Sequence, residues 1–141
     1  MNVLGRKEKI DLPDLNLRSI DAKIDTGART SSIHCSEIFL SKNKKNPILH
    51  FKLLDKSHPE FKNVVHSFNE FRIQKVKSST GHSEKRFVIR TSVSIFDEII
   101  ETEFTLANRK AMNYPILLGR RFLSKRFIVD VSKRNLSFQK K

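Results

Sequence analysis

The chain has 141 residues, a formal net charge of +13 and 38% hydrophobic residues, with eleven phenylalanines. That length argues for one domain, spanning residues 1–141, and that composition for one lean core. No run approaches the ~18–20 apolar residues of a membrane-spanning helix, the N-terminal Met1-Asn2-Val3-Leu4-Gly5-Arg6-Lys7 lacks the apolar stretch of a signal peptide, and a single cysteine excludes both an intrachain disulfide and a Cys-based zinc site.

Along the chain the apolar pattern is short and strand-like. Ala22-Lys23-Ile24 reads as a strand leading into the turn Asp25-Thr26-Gly27, and Ser32-Ile33-His34-Cys35 reads as the next strand. Residues 48–54 place Leu49, Phe51 and Leu53 on one face. Residues 71–76 and 87–95 both alternate with period two, and the polar segment 77–84, which contains Gly81, reads as the tip of a hairpin between them. Residues 101–106 suit another strand. Residues 114–118 form an apolar run entered through Pro115 and stopped by Gly119. Residues 120–125 suit a short helix. Residues 127–131 and 135–138 read as two strands around the turn Ser132-Lys133-Arg134. No internal repeat or low-complexity linker is present. Many short strands with one short helix predict a closed or sandwiched β architecture.

The basic residues are spread along the chain, with local density at 42–45, 120–126 and 133–141. A field of this sign favours acidic partners, nucleic acid among them. No RNA-recognition, zinc-finger or helix-turn-helix pattern sharpens that expectation, and a solvated basic surface is the preferred reading of the charge. Cys35 reads as a small, half-buried apolar residue. The histidines at positions 34, 50, 58, 66 and 82 include no His-Glu-x-x-His, and their spacing does not match ligands on one helix, so no metal site is expected. No Gly-rich phosphate loop ending in Lys-Ser/Thr is present, so ATP binding has no basis in the sequence.

Asp25-Thr26-Gly27 alone is weak evidence, because Asp and Gly are ordinary turn residues. Its context adds weight. Ile24 precedes it, Ala28 follows it, and strands flank it on both sides. Much later comes Ile116-Leu117-Leu118-Gly119-Arg120, an apolar run closed by Gly.

In that order, with a hairpin between them, these elements resemble the retropepsin family. There an Asp-Thr-Gly-Ala loop carries the catalytic aspartate, and a later apolar-apolar-Gly strand packs beside it. The likeness is nearest to a bacterial and archaeal branch historically labelled ATP-dependent zinc proteases. It is carried by Leu12-Pro13-Asp14-Leu15, by Ala22-Lys23-Ile24-Asp25-Thr26-Gly27-Ala28-Arg29-Thr30-Ser31-Ser32-Ile33-His34, by Arg109-Lys110-Ala111-Met112-Asn113-Tyr114-Pro115-Ile116-Leu117-Leu118-Gly119-Arg120-Arg121, and by Val129-Asp130.

The resemblance implies an all-β, retropepsin-like (acid protease) closed β-barrel with one short helix near the C-terminus. It implies an aspartic-type endopeptidase acting on a peptide or protein substrate, with Asp25, Thr26 and Gly27 catalytic. Ala28, Arg29, Ile116, Leu117, Leu118, Gly119 and Arg120 would face the substrate. Zinc and ATP come only from the label, so no cofactor is expected.

Aspartic proteolysis needs two carboxylates that share one proton. With one Asp-Thr-Gly in the chain, a homodimer with one Asp25 from each copy is expected. Asp130 is the rival in-chain partner, although it reads better as a strand-end residue near a turn. Viral retropepsins usually carry Asp where this chain has Arg29. Two cations, Arg29 and Arg120, thus stand where an ion pair would, which suggests an acidic substrate. The competing reading is a weak or inactive retropepsin-fold module that binds an acidic peptide or nucleic acid. A cytoplasmic, non-membrane protein is expected.

Overall fold

The computed structural model describes residues 1–43, 45–77, 81–108 and 114–139. The elements in order are β1 (Asn2–Leu4), β2 (Lys7–Leu12), a 3-10 turn (Pro13–Leu15), β3 (Leu17–Ile24), β4 (Ser31–Leu40), β5 (Leu49–Leu53), β6 (Val65–Phe68), β7 (Arg72–Lys77), β8 (Ser83–Ile95), β9 (Glu98–Ala107), β10 (Ile116–Leu118), α1 (Arg120–Leu123), β11 (Phe127–Val129) and α2 (Leu136–Gln139).

Strands β10, β3, β2, β8, β9 and β4 follow one another edge to edge, and β10 also pairs β4, so the ring closes as a barrel. Closure removes the open edges that such short strands would otherwise present. Period-two alternation decides which side chains fill it. In β2 the residues Glu8, Ile10 and Leu12 point inward while Lys7, Lys9 and Asp11 point outward. Ile10, Ile20, Ile33, Phe104, Ile116 and Phe122 are fully buried. Outside the ring, β5 and β6 extend β4 as an antiparallel lobe, and β1 pairs β11 in parallel as a separate two-stranded ribbon.

The long strand β8 serves two structures. Its first half, Ser83 to Val88, pairs β7, and its second half, from Val88 on, pairs β9 within the barrel. The β8–β9 turn is made by Phe96 and Asp97, with φ of 51° and 61°. Paired positive φ is the turn geometry that matches strand twist, though it disfavours bulky residues. Phe96 gains a stacked neighbour in Phe127, 6.4 Å away between ring centroids.

The retropepsin-like all-β barrel expected from the resemblance is what the chain forms. Strands expected over 48–54, 71–76, 87–95, 101–106, 114–118 and 127–131 appear as β5, β7, β8, β9, β10 and β11, and the helix expected after Gly119 is α1. The β7–β8 hairpin is present, with Lys77 opposite Ser83. Its tip at 78–80 lies outside the described residues, as does the 109–113 part of the downstream motif. Strands β1, β2 and β6 are additional.

One assignment is overturned: residues 135–138 do not form the expected strand, and Leu136–Gln139 form helix α2 instead. The cause is Glu8. Its carboxylate is fully buried and accepts hydrogen bonds from the backbone N–H groups of Gly5 (2.7 Å), Leu136 (3.1 Å) and Ser137 (2.9 Å). Two of these are first-turn amides of α2, which have no partner within the helix and favour a negative charge. An anion supplied from β2 therefore selects one turn of helix over the strand that the local apolar pattern suggests.

Replacing Glu8 with Ala leaves three buried or half-buried amides without an acceptor. We expect a loss of about 2–4 kcal/mol in unfolding free energy, read by urea denaturation, with faster amide exchange in α2. A loss below about 1 kcal/mol would mean that water replaces the carboxylate at little cost.

Candidate active site

The loop after β3 is held from below by β10. The Asp25 N–H donates to Leu118 O (2.9 Å), so the strand that closes the barrel also sets the height of Asp25. Asp25 is half-buried, and its Oδ1 accepts the Gly27 N–H at 2.9 Å. Oδ2 accepts nothing from the described residues. A Cβ at Gly27 would lie 3.2 Å from Asp25 Oδ1, so this glycine matters for close approach. The Ala28 N–H closes the turn onto Asp25 O (3.3 Å).

A second clamp comes from the start of α1. The Arg120 N–H donates to Ala28 O (2.8 Å) and the Arg121 N–H to Arg29 O (3.0 Å). The Arg120 guanidinium Nη1 also donates to Thr26 O (3.2 Å) and Gly27 O (3.0 Å). Gly119 sits between these contacts in extended backbone. Its N–H donates to the buried Ser31 hydroxyl (3.1 Å), and a Cβ there would lie 2.7 Å from Thr30 O and 2.8 Å from Ala28 O.

The residues expected to act together thus meet around one loop. Asp25, Thr26, Gly27, Ala28 and Arg29 form the loop itself; Thr26, Gly27 and Arg29 are exposed, and the Thr26 hydroxyl makes no hydrogen bond to a described residue. Ile116 and Leu118 point into the core and Leu117 is buried, so β10 reaches the loop through its backbone. Gly119 and Arg120 brace the loop from behind.

Arg29 makes no ion pair with a described residue. Neighbouring cations are committed elsewhere: Arg72 makes a two-pronged bond to Glu103, with Arg121 at 3.7 Å from the same carboxylate, and Arg90 pairs Glu101. The hydrogen bond from Arg72 holds the Glu103 carboxyl below its usual range. Asp130 follows β11 and accepts the Ser132 N–H (3.0 Å) and hydroxyl (2.6 Å), and these bonds hold its carboxyl low. It caps its own turn, as its position at a strand end suggests.

Sequence reasoning passed over a second cluster. His34 on β4 is buried, and its Nε2 lies 2.5 Å from Asp55 Oδ2. The other Asp55 oxygen accepts the Ser57 N–H (2.7 Å) and the Ser57 hydroxyl. Those bonds, the hydroxyl's first, hold the Asp55 carboxyl well below the usual carboxylate range. The His58 ring stands 5.7 Å from that of His34. Neighbouring Cys35 is buried, and burial pushes its thiol far up. Among the described residues no helix is long and apolar enough to cross a membrane.

The family model described as RimB-like, "Retropepsin-like aspartic endopeptidase RimB", matches residues 3–140. A Shewanella pealeana protein named "Probable alpha-L-glutamate ligase" is 36% identical over 135 residues, which are 93% of this chain and 29% of that protein. A Desulfotalea psychrophila protein of the same name is 34% identical over 132 residues, 91% of this chain and 28% of its own length. The chain therefore spans less than a third of the curated relatives it matches. The crystal structure of the Legionella pneumophila protein Lpg0085, of unknown function, superposes with a TM-score of 0.72 at 30% identity, covering 96% of this chain and 98% of that one.

The packing around Gly119 has a direct test. In Gly119→Ala the backbone dihedrals suit alanine, so the cost is steric: the new methyl meets two carbonyls of the Asp25 loop. We expect a loss of about 1–3 kcal/mol in chemical denaturation. Unchanged stability would show that the loop shifts freely.

Proposed function

The chain belongs to the RimB-like family of retropepsin-like aspartic endopeptidases, and from that premise we propose that it is an aspartic-type endopeptidase acting on acidic, glutamate-rich peptide segments. The observation that carries this reading is Asp25. It stands half-buried on a loop braced by β10 and α1, with one carboxylate oxygen taken by Gly27 and the other without a partner among the described residues.

One such carboxylate is half of a proteolytic pair. The second comes from another copy of the chain, brought up across a two-fold axis so that two Asp25 side chains share one proton. The ionised member removes a proton from a water, and the water oxygen bonds to the scissile carbonyl carbon. The protonated member gives its proton to the carbonyl oxygen. Collapse of the tetrahedral adduct breaks the C–N bond as the departing nitrogen takes a proton. The pair titrates as a unit, so activity should fall on both sides of a pH maximum.

Two observations support an acidic substrate. The net charge is +13, and Arg29 is exposed on the Asp25 loop without an ion-pair partner among the described residues. Relatives that contain this domain within a longer chain are named for glutamate ligation. We read that name as belonging to the remainder of those proteins, with the domain shared with this chain hydrolysing glutamate-containing peptides.

Incubation with a glutamate-rich peptide and mass analysis of the products tests the proposal. Internal cleavage is expected, and Asp25→Asn should reduce kcat by at least about 10³-fold. A glutamine-substituted peptide should be cleaved less efficiently. Sedimentation should show dimers at concentrations that support cleavage. Equal activity in Asp25→Asn, or a cleaving monomer, would sink the dyad.

A further inference from the structure

We propose that His34, Asp55 and His58 form a binding site for one divalent transition-metal ion of the zinc type, at the end of β10 remote from Asp25. The two imidazoles and the carboxylate each offer one ligand atom, and these atoms all lie within 4.8 Å of one another. A tetrahedral ion with bonds of ~2.0–2.1 Å holds its ligands ~3.3 Å apart. The His34 Nε2–Asp55 Oδ2 pair, at 2.5 Å, needs to open by less than about 1 Å. The ion would replace the proton shared by that pair, which leaves for solvent on binding. Two nitrogens and one oxygen suit zinc and its neighbours better than magnesium or calcium, and three protein ligands leave the fourth position for water.

The scaffold favours binding over a plain buried hydrogen bond. A His34–Asp55 bond has no need of His58, yet the chain turns to bring that ring beside it, with the His58 N–H donating to Asp55 O at 3.0 Å. Leu54, just before the carboxylate, is a buried non-glycine residue at φ 66°, a conformation that costs energy. It is pinned by its own N–H to His34 O (2.9 Å). Ser57 fixes the Asp55 oxygen that is not bonded to His34, as outer-shell partners do for metal ligands. Cys35 is next to His34 in sequence but takes no part, since its Sγ points to Ile33 O.

The test is metal titration of chelator-treated protein, using Zn²⁺ by calorimetry and Co²⁺ by visible absorption. We expect one ion per chain, a low-coordinate Co²⁺ spectrum, and a raised melting temperature with Zn²⁺. His58→Ala alters a partly exposed ring and should fold, yet bind at least ~100-fold more weakly and show no thermal shift. Asp55→Asn should weaken binding too. His66→Ala and Asp25→Asn should bind as the unaltered chain does, which separates this site from the peptidase. No saturable one-to-one binding, undiminished binding by His58→Ala, or an equal loss in His66→Ala would overturn the proposal.

Discussion

One three-residue strand, β10, has neighbours on both edges. Ile116, Leu117 and Leu118 run parallel to Ala22, Lys23 and Ile24 on one side, while Ile116 and Leu117 pair antiparallel with Ile33 and Ser32 on the other. Without them β3 and β4 would each expose an edge and the barrel would open. The same three residues end in Leu118 O, which receives the Asp25 N–H, and lead into Gly119, whose N–H donates to the Ser31 hydroxyl. Barrel closure and the placement of the candidate catalytic carboxylate are therefore one constraint. This explains why a loop with exposed Thr26 and Gly27 is held at all: besides its own Gly27–Asp25 bond, it is hydrogen-bonded to the backbone of β10 and to the start of α1.

Charge is organised around that loop by what each arginine already holds. Arg120 is committed to loop carbonyls, Arg126 donates to Phe122 O in α1, and Arg72, Arg90 and Arg121 face Glu101 and Glu103. Surface pairs of this kind add little stability. Their larger effect is to fix where positive charge is neutralised. Arg29 is neutralised by none of the described carboxylates, so its loop retains a local positive field over a basic molecule. Such a field steers acidic partners and rejects basic ones more than it adds affinity.

What the sequence made legible divides along physical lines. A strand that alternates cleanly, such as β5, declares itself because one face is buried and the other is wetter, while β7 keeps the apolar alternation although its Ile73 is exposed. Strand β2 does not declare itself, since its inward position 8 is a glutamate, and a buried anion reads as surface until its partners are known. Those partners, the amides of Leu136 and Ser137, lie at the far end of the chain, which is also why the helix there looked like a strand. The Asp25 loop was readable because its residues are contiguous and its companion strand has a distinctive apolar-to-glycine ending. The inward role of Ile116 and Leu118 was not, because an apolar strand beside a site lines it or supports it with the same residues. The histidine cluster was invisible for another reason. Asp55 and His58 share one turn, but His34 lies far from them in sequence and meets them only through the β4–β5 register that sets Cys35 opposite Leu53.

The two proposed sites lie at the two ends of β10, and the strand's shortness links them. At one end Pro115 O accepts the His34 N–H, and at the other Leu118 O accepts the Asp25 N–H. Three residues of extended chain separate those carbonyls by ~10 Å. Over that length a strand paired on both edges has little freedom to bend, so a displacement of one end is felt at the other. An ion held by His34, Asp55 and His58 would tie β4 to the turn after β5, and through His34 would stiffen the anchor of β10 without touching a substrate. Its effect on hydrolysis would then appear as a change in how sharply Asp25 is positioned. Loss of the ion should lower kcat more than it raises KM, because substrate contacts stay in place while the alignment needed in the transition state loosens.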